Sequence, residues 1–172
     1  MRLGVLSDTH NHVLAALDAV EALWADGARR FVHCGDIGPD VLDDLSAWAQ
    51  ARRTTLWWAY GNCDFGYPDA SDYAVPPPSV IGGWHVEPDA RLAAIHGHDS
   101  RLRERLLASG RYDVILCGHT HCPSAIQAGH TWLLNPGSAA RPRSDNGPTA
   151  LLLDWPECKW QWLKLRSRTP SL

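Results

Sequence analysis

The chain has 172 residues, the length of one domain that can bury a core without disulfide or metal staples. Hydrophobic residues make up 45% and charged residues 20%, which excludes disorder along the whole chain. A formal net charge of -3 gives no electrostatic footprint for long nucleic acid or an anionic membrane. It leaves room for a phosphate-bearing substrate whose charge is offset by metal ions.

The first ten residues hold too short an apolar run for a signal peptide, and no run approaches the roughly 20 residues of a membrane span. The five Cys are odd in number and form no Cys-x-x-Cys pair, so a reducing cytoplasm is the expected compartment.

The first half reads as alternating strand and helix. Residues 2–6 are a short apolar run ending in Ser7-Asp8, which predicts a buried strand. Val13, Leu14, Leu17, Val20, Leu23 and Trp24 recur at helical spacing over 12–26, with Gly27 as the stop. A second strand at 30–34 ends at Gly35-Asp36. Pro39 opens a helix with Val41, Leu42, Leu45 and Trp48 on one face. A third strand at 54–60 ends at Gly61-Asn62, and adjacent Trp57 and Trp58 suit a strand buried on both faces. This alternation predicts a parallel sheet with helices on its faces.

Residues 65–83 break the rhythm with Tyr67-Pro68-Asp69 and Pro76-Pro77-Pro78, reading as a lid or binding loop or as a surface excursion. A strand at 91–95 then ends at His96, a helix runs from Asp99 or Ser100 to Ala108, and a strand at 112–117 ends at Gly118-His119. Short strands near 124–128, 131–134, 149–155 and 158–166 follow as hairpins. Residues 1–172 form one domain, with 167–172 as a loose tail.

The predicted strands stop at residues that bind metals: Asp8-Thr9-His10, Gly35-Asp36, Gly61-Asn62-Cys63-Asp64, His96-Gly97-His98 and Gly118-His119-Thr120-His121. Sites in α/β sheets collect outside the carboxyl ends of the strands, so five segments would deliver these groups to one rim. Carboxylate, amide oxygen and imidazole together suit Mn, Fe, Co, Ni or Zn rather than Ca or Mg. A carboxylate can bridge two such ions.

This ordered set resembles the motifs of calcineurin-like metallophosphoesterases. The Gly-Asn-Cys-Asp version, the short length and Asn135-Pro136-Gly137-Ser138 resemble the small YfcE/MJ0936-type phosphodiesterase branch. The resemblance spans about residues 1–166. It implies a four-layer α/β/β/α sandwich of two mixed sheets flanked by helices, with two divalent transition-metal ions, manganese foremost, at the rim. Asp8, His10 and His121 would hold one ion and Asn62, His96 and His119 the other, with Asp36 between them. The implied reaction is in-line attack by a metal-bridging hydroxide on a phosphodiester.

Several roles stay open at this stage. Asn62, Cys63, Asp64 and His98 are the candidate catalytic residues. Cys63 stands where many members of the family have a His able to protonate the leaving group, and metal ions beside it would favour thiolate. His98 is a candidate acid or an orienter of a neighbour. Arg141 and Arg143 are candidates for clamping phosphate. Asn11, where these proteins commonly have Gly, is expected to cap the helix that follows it. His12 reads as a solvent-facing first-turn residue or one that reaches substrate. Cys34 and Cys117 read as small buried hydrophobes. Trp160 and Trp162, on one face with Lys164 and Arg166, offer a self-association surface. The alternatives are a Vps29-like scaffold, a nuclease or cyclic-nucleotide phosphodiesterase, and a phosphomonoesterase.

Overall fold

The computed structural model describes residues 1–64 and 91–166, with the backbone of Tyr73 and Ala74 between them. The irregular 65–83 segment lies outside the described residues apart from that dipeptide, and so does the 167–172 tail.

In chain order the elements are β1 (Arg2–Leu6), α1 (Val13–Ala25), β2 (Arg30–His33), α2 (Pro39–Ala51), β3 (Thr55–Trp58) and β4 (Tyr73–Ala74). They continue as β5 (Leu92–Ile95), α3 (Ser100–Ala108), β6 (Val114–Leu116), β7 (Pro123–Ala128), β8 (Thr131–Pro136), β9 (Thr149–Asp154) and β10 (Lys159–Lys164). One sheet has the order β10-β9-β1-β2-β3 and the other β4-β5-β6-β8-β7. Both are mixed. β1 pairs parallel with β2 and antiparallel with β9, and β8 pairs parallel with β6 and antiparallel with β7.

Three apolar cores set the layers. Successive residues of a strand point to opposite faces. In the first sheet Leu6, Phe31, Leu56, Ala150 and Leu152 pack under α1 and α2 with Val20, Leu23, Leu45 and Trp48. Leu3, Val5, Val32, Trp57, Leu151 and Leu153 point the other way. There they meet Leu92, Ala94, Val114, Leu116 and Leu134 of the second sheet. The outer face of that sheet carries Ala93, Ile95 and Ile115, which pack with Leu102 of α3. The layers are therefore helix, sheet, sheet, helix.

Two expectations change. The first sheet is covered by helices on one face only, because its second face is closed by the other sheet. The two expected C-terminal hairpins form and divide between the sheets: β7 and β8 finish the second, while β9 and β10 return to the first. Trp160 and Trp162 do not form an outward face, for they pack on the inter-sheet core. Trp160 lies 4.7 Å, centroid to centroid, from the Trp132 ring, and Trp162 Nε1 donates to the Asn135 carbonyl at 2.9 Å. Other apolar expectations hold: Trp57 and Trp58 face opposite cores, and Cys34 and Cys117 are buried.

Asn11 also departs from expectation. It caps α2, not α1. Its Oδ1 accepts from the Asp40 and Val41 amides at 2.9 and 3.4 Å, and its Nδ2 donates to Asp40 Oδ2 at 2.9 Å. These are the second and third amides of a helix whose own cap residue, Gly38, has no side chain to offer. Asn11 sits at φ 63°, a conformation that Asn tolerates better than most residues and Gly adopts freely. Asn11→Gly should therefore cost about 1 kcal/mol through the lost cap. Asn11→Ala should cost more, because left-handed backbone strain adds to that loss. Urea unfolding of the two variants beside the parent checks the order.

Candidate metal centre

The chain does not separate when β1 and β2 end. Asp8 N donates to the Gly35 carbonyl at 3.0 Å, His10 N to Asp36 O at 2.9 Å and Asn11 N to Ile37 O at 3.0 Å. Two loops are thus zipped together beyond the sheet. Within them and the Gly118–His121 loop, Asn11 apart, five non-glycine residues take left-handed backbone: Asp8 (φ 55°), His10 (45°), Asp36 (53°), His119 (69°) and His121 (61°). Each costs about 1–3 kcal/mol and persists only where the surroundings enforce it. All five are residues whose type and order in the sequence suggested metal binding.

Asp8, His10, Asp36 and His121 each present a ligand atom, and these atoms all lie within 4.8 Å of one another. This group could hold a metal ion. His10 Nε2 and His121 Nε2 are 3.1 Å apart, His121 Nε2 is 3.3 Å from Asp8 Oδ1, and His10 Nε2 is 3.7 Å from Asp36 Oδ2. On the other side of Asp36, Oδ1 is 3.4 Å from His96 Nε2. The His96 ring lies 5.1 Å from His119, centroid to centroid. The two oxygens of Asp36 therefore face two different imidazole groups.

The donor chemistry fits cations. His96 Nδ1 lies 2.8 Å from the Cys34 carbonyl and His121 Nδ1 2.6 Å from the Arg141 carbonyl. A carbonyl only accepts, so each Nδ1 carries a hydrogen, and whenever the ring is neutral its bare Nε2 lone pair faces a carboxylate. Lone pair against anion is repulsive unless a cation or a proton lies between. With the rings neutral, buried atoms without a hydrogen-bond partner include Asp8 Oδ1, Asn62 Oδ1 and His96 Nε2, all from this rim. The other Asp8 oxygen is held by the His119 amide at 3.1 Å.

Protonation follows the same logic. Burial pushes His10 and His119 down, which favours free lone pairs near neutral pH. Burial also opposes a charge on His96, yet the Asp36 hydrogen bond and the Asp8 and Asp36 charges outweigh it and raise the group. The Asp8 hydrogen bond raises His121. A proton is thus favoured at the positions where a cation would sit. Burial works to raise Asp36, but the hydrogen bonds from His96 and the Cys63 amide hold it below the ordinary carboxylate range.

Close approach of backbone makes room for these carboxylates. A Cβ at Gly61 would overlap Asp36 Oδ1, and one at Gly118 would overlap Ser7 Oγ and crowd Asp8 Oδ2. Any side chain there would push the acid out of place.

The Gly61–Asp64 loop sorts its own residues. The Asp64 carboxylate is buried and taken up by backbone: Oδ1 accepts from Ile37 N at 2.9 Å and Gly38 N at 3.0 Å, and Oδ2 from Gly61 N at 2.7 Å. It shapes the loop instead of facing the rim. Cys63 is exposed, and its amide donates to Asp36 Oδ1 at 2.8 Å. Its thiol is pushed up to about 11, first by desolvation and then by the Asp36 hydrogen bond. Without cations at the rim, burial and the neighbouring acids thus keep this thiol protonated.

His98 is exposed, with its ring 5.4 Å from His96 and 6.1 Å from His119. Arg141 is brought beside the cluster by its main chain, and its Nε lies 3.4 Å from His12 Nε2. Arg143 is exposed, and its amide donates to the His121 carbonyl at 3.3 Å.

Sequence reading missed the supports. Ser138 Oγ donates to the Asp8 carbonyl at 2.8 Å and accepts from the Arg141 amide at 2.7 Å. Asn135 Nδ2 donates to Gly118 O at 2.7 Å. The Asn135–Ser138 segment thereby ties the first ligand loop to the last. His33 also escaped notice. It is fully buried, with Nε2 2.9 Å from Thr9 Oγ1, while its Nδ1 accepts from the Gly35 amide at 3.2 Å.

Residues 1–157 match the model of the calcineurin-like phosphoesterase superfamily domain. The phosphodiesterase YfcE of Escherichia coli K12 is 30% identical over 90% of this chain and 88% of its own length. The phosphodiesterase MJ0936 of Methanocaldococcus jannaschii is 27% identical over 80% of this chain and 83% of its own. A solved archaeal phosphodiesterase structure has a TM-score of 0.75 at 23% identity, covering 96% of this chain and 100% of that one. Vps29 of Chaetomium thermophilum shares the fold at a TM-score of 0.64 and 13% identity, over 95% of each chain.

His33 generates a pH prediction. Burial lowers it to about 3 in the folded protein, against 6.5 for the free side chain. As pH falls through 6.5 the unfolded chain takes up a proton that the folded one refuses. Stability due to this residue is thus present above pH 6.5 and is lost progressively between 6.5 and 3. Measured against a His33→Phe variant, the urea midpoint of chelator-treated protein should fall from pH 7 to pH 5. The variant should show a shallower fall over that range; an equal slope would mean that the ring does not stay neutral.

Proposed function

The chain belongs to the calcineurin-like phosphoesterase superfamily, and from that premise we propose that it is a dinuclear metal-dependent phosphodiesterase. The observation that carries the reading is Asp36, whose Oδ2 faces His10 at 3.7 Å and whose Oδ1 faces His96 at 3.4 Å. Asp8, His10 and His121 would hold one ion, and Asn62, His96 and His119 the second. Asp36 would bind both. Manganese is the first candidate, with Fe, Co, Ni and Zn suited by the same donors. When bound, two such ions lower the pKa of a water and neutralise phosphoryl oxygens.

The residues of the chain do the rest. His96 and His121 are held with Nε2 toward the ions by their bonds to Cys34 and Arg141 carbonyls. The Cys63 amide orients Asp36, and its protonated thiol sits exposed at the loop tip. A thiol fits the protonation of a departing alkoxide less well than an imidazole does, so aryl diesters with good leaving groups should react best. Asp64 positions the loop through its three amide bonds, and His98 orients the His96–His119 pair. Arg141 and Arg143 flank the rim where non-bridging phosphate oxygens would lie. We place the protein in the cytoplasm as a single domain.

The scaffold reading, which rests on the fold shared with Vps29 proteins, is less well supported, because every expected ligand position is filled here. Nucleotide and monoester substrates remain as arms of the test. Chelator-stripped protein is assayed with an aryl phosphodiester, its monoester and a cyclic nucleotide, with and without added Mn. Diester hydrolysis should return with Mn and fall at least about 100-fold in Asp36→Ala, the scale of losing a group that acts in the transition state. Cys63→His should narrow the gap between alkyl and aryl diesters. Folded protein inactive with every first-row ion would move the weight to the scaffold.

A further inference from the structure

We infer that His33 is a positioning residue for the metal centre: through Thr9 and Gly35 it locks together the two loops that present Asp8, His10 and Asp36. The inference rests on the metal-site reading above and goes beyond it, because His33 faces no ligand position itself.

The hydrogen-bond directions are settled by elimination. Thr9 Oγ1 lies 3.0 Å from the Ile37 carbonyl, which only accepts, so the single hydroxyl hydrogen points there. The contact of 2.9 Å between Thr9 Oγ1 and His33 Nε2 must then use a hydrogen on Nε2. The Gly35 amide donates to Nδ1 at 3.2 Å, so Nδ1 is bare. One tautomer satisfies all three bonds, and both ring nitrogens are used. No rotation of the ring and no second tautomer keeps the set.

Position gives the circuit its effect. Thr9 stands between Asp8 and His10, and Gly35 directly precedes Asp36. His33 is the last residue of β2 and is completely buried, with its own carbonyl accepting from the Ala59 amide at 2.9 Å. The ring is therefore anchored to the sheet on one side and to both ligand loops on the other. Asp8, His10 and Asp36 all occupy left-handed backbone. Such conformations relax unless neighbours over-determine them. The main-chain pairing of the two loops fixes their separation, while the imidazole fixes the turn between Asp8 and His10.

The test measures metal affinity apart from activity. Chelator-stripped parent, Thr9→Val, His33→Phe, His33→Gln and the Thr9→Val/His33→Phe double variant are titrated with Mn by calorimetry. Urea unfolding of the metal-free forms runs alongside. Thr9→Val and His33→Phe should each weaken Mn binding about 10- to 100-fold, the range for groups that orient metal ligands. The double variant should be little worse than either single one, because both remove the same circuit. His33→Gln, whose amide can still donate to Thr9, should recover most of the affinity.

A folded Thr9→Val or His33→Phe variant that loses only stability and binds Mn as the parent does would overturn the inference. So would losses that simply multiply in the double variant. If His33→Phe does not fold, Thr9→Val, which keeps the ring and nearly the same volume, decides alone. Parent protein that binds no Mn or other first-row ion would instead overturn the metal-site reading, and this inference with it.

Discussion

Two carboxylates are buried among imidazoles at the rim of this molecule, and most of the site can be understood as an answer to that. Asp8 is 0% and Asp36 3% exposed. Isolated anions in such surroundings are strongly disfavoured unless paired and hydrogen-bonded. Each receives one backbone amide, from His119 and Cys63 respectively, and that is too little to offset a full charge. The remaining neighbours are imidazoles, two of them held with Nε2 toward the acids, where a proton or a metal cation can sit. A protein that arranges anions and lone pairs around shared points is built to receive positive charge there.

The fold supplies the rigidity that such an arrangement needs. The ligands sit on loops in left-handed backbone, which would not hold their shape alone. Three devices hold them. Main-chain bonds continue the β1–β2 pairing past the strand ends. The Asn135–Ser138 segment ties the last loop to the first across the seam between the two sheets. Asp64 fastens the Gly61 loop to the start of α2. Two sheets closed on one apolar core place all of these loops on one rim, although they come from opposite ends of the chain.

Much of this was legible in the sequence. Ligand-type residues after apolar runs marked the rim, because strand ends are where α/β folds expose functional groups. The pairing of β7 with β8 and of β9 with β10 followed from alternation and turn residues. The two-sheet sandwich was different: apolar runs say that a strand is buried, not whether a helix or a sheet covers it, and only the resemblance supplied that layer. Trp160 and Trp162 misled for the same reason, since alternation shows which residues share a face but not which way that face turns. Asn11 capping α2 was invisible because its partner Asp40 is 29 positions away. Asp64 looked reactive by type, and only its three amide bonds show a carboxylate already occupied. His33 was hidden inside an ordinary strand pattern.

The central claim is that Asp36 serves two ions at once. The most direct measurement is the electron paramagnetic resonance spectrum of chelator-stripped protein titrated with Mn, read together with the number of ions bound. The expected result is two Mn per chain, a spin-coupled spectrum from a pair sharing a carboxylate, and a return to isolated-ion signals in Asp36→Asn. One ion per chain, or two with uncoupled spectra in the parent protein, would contradict it.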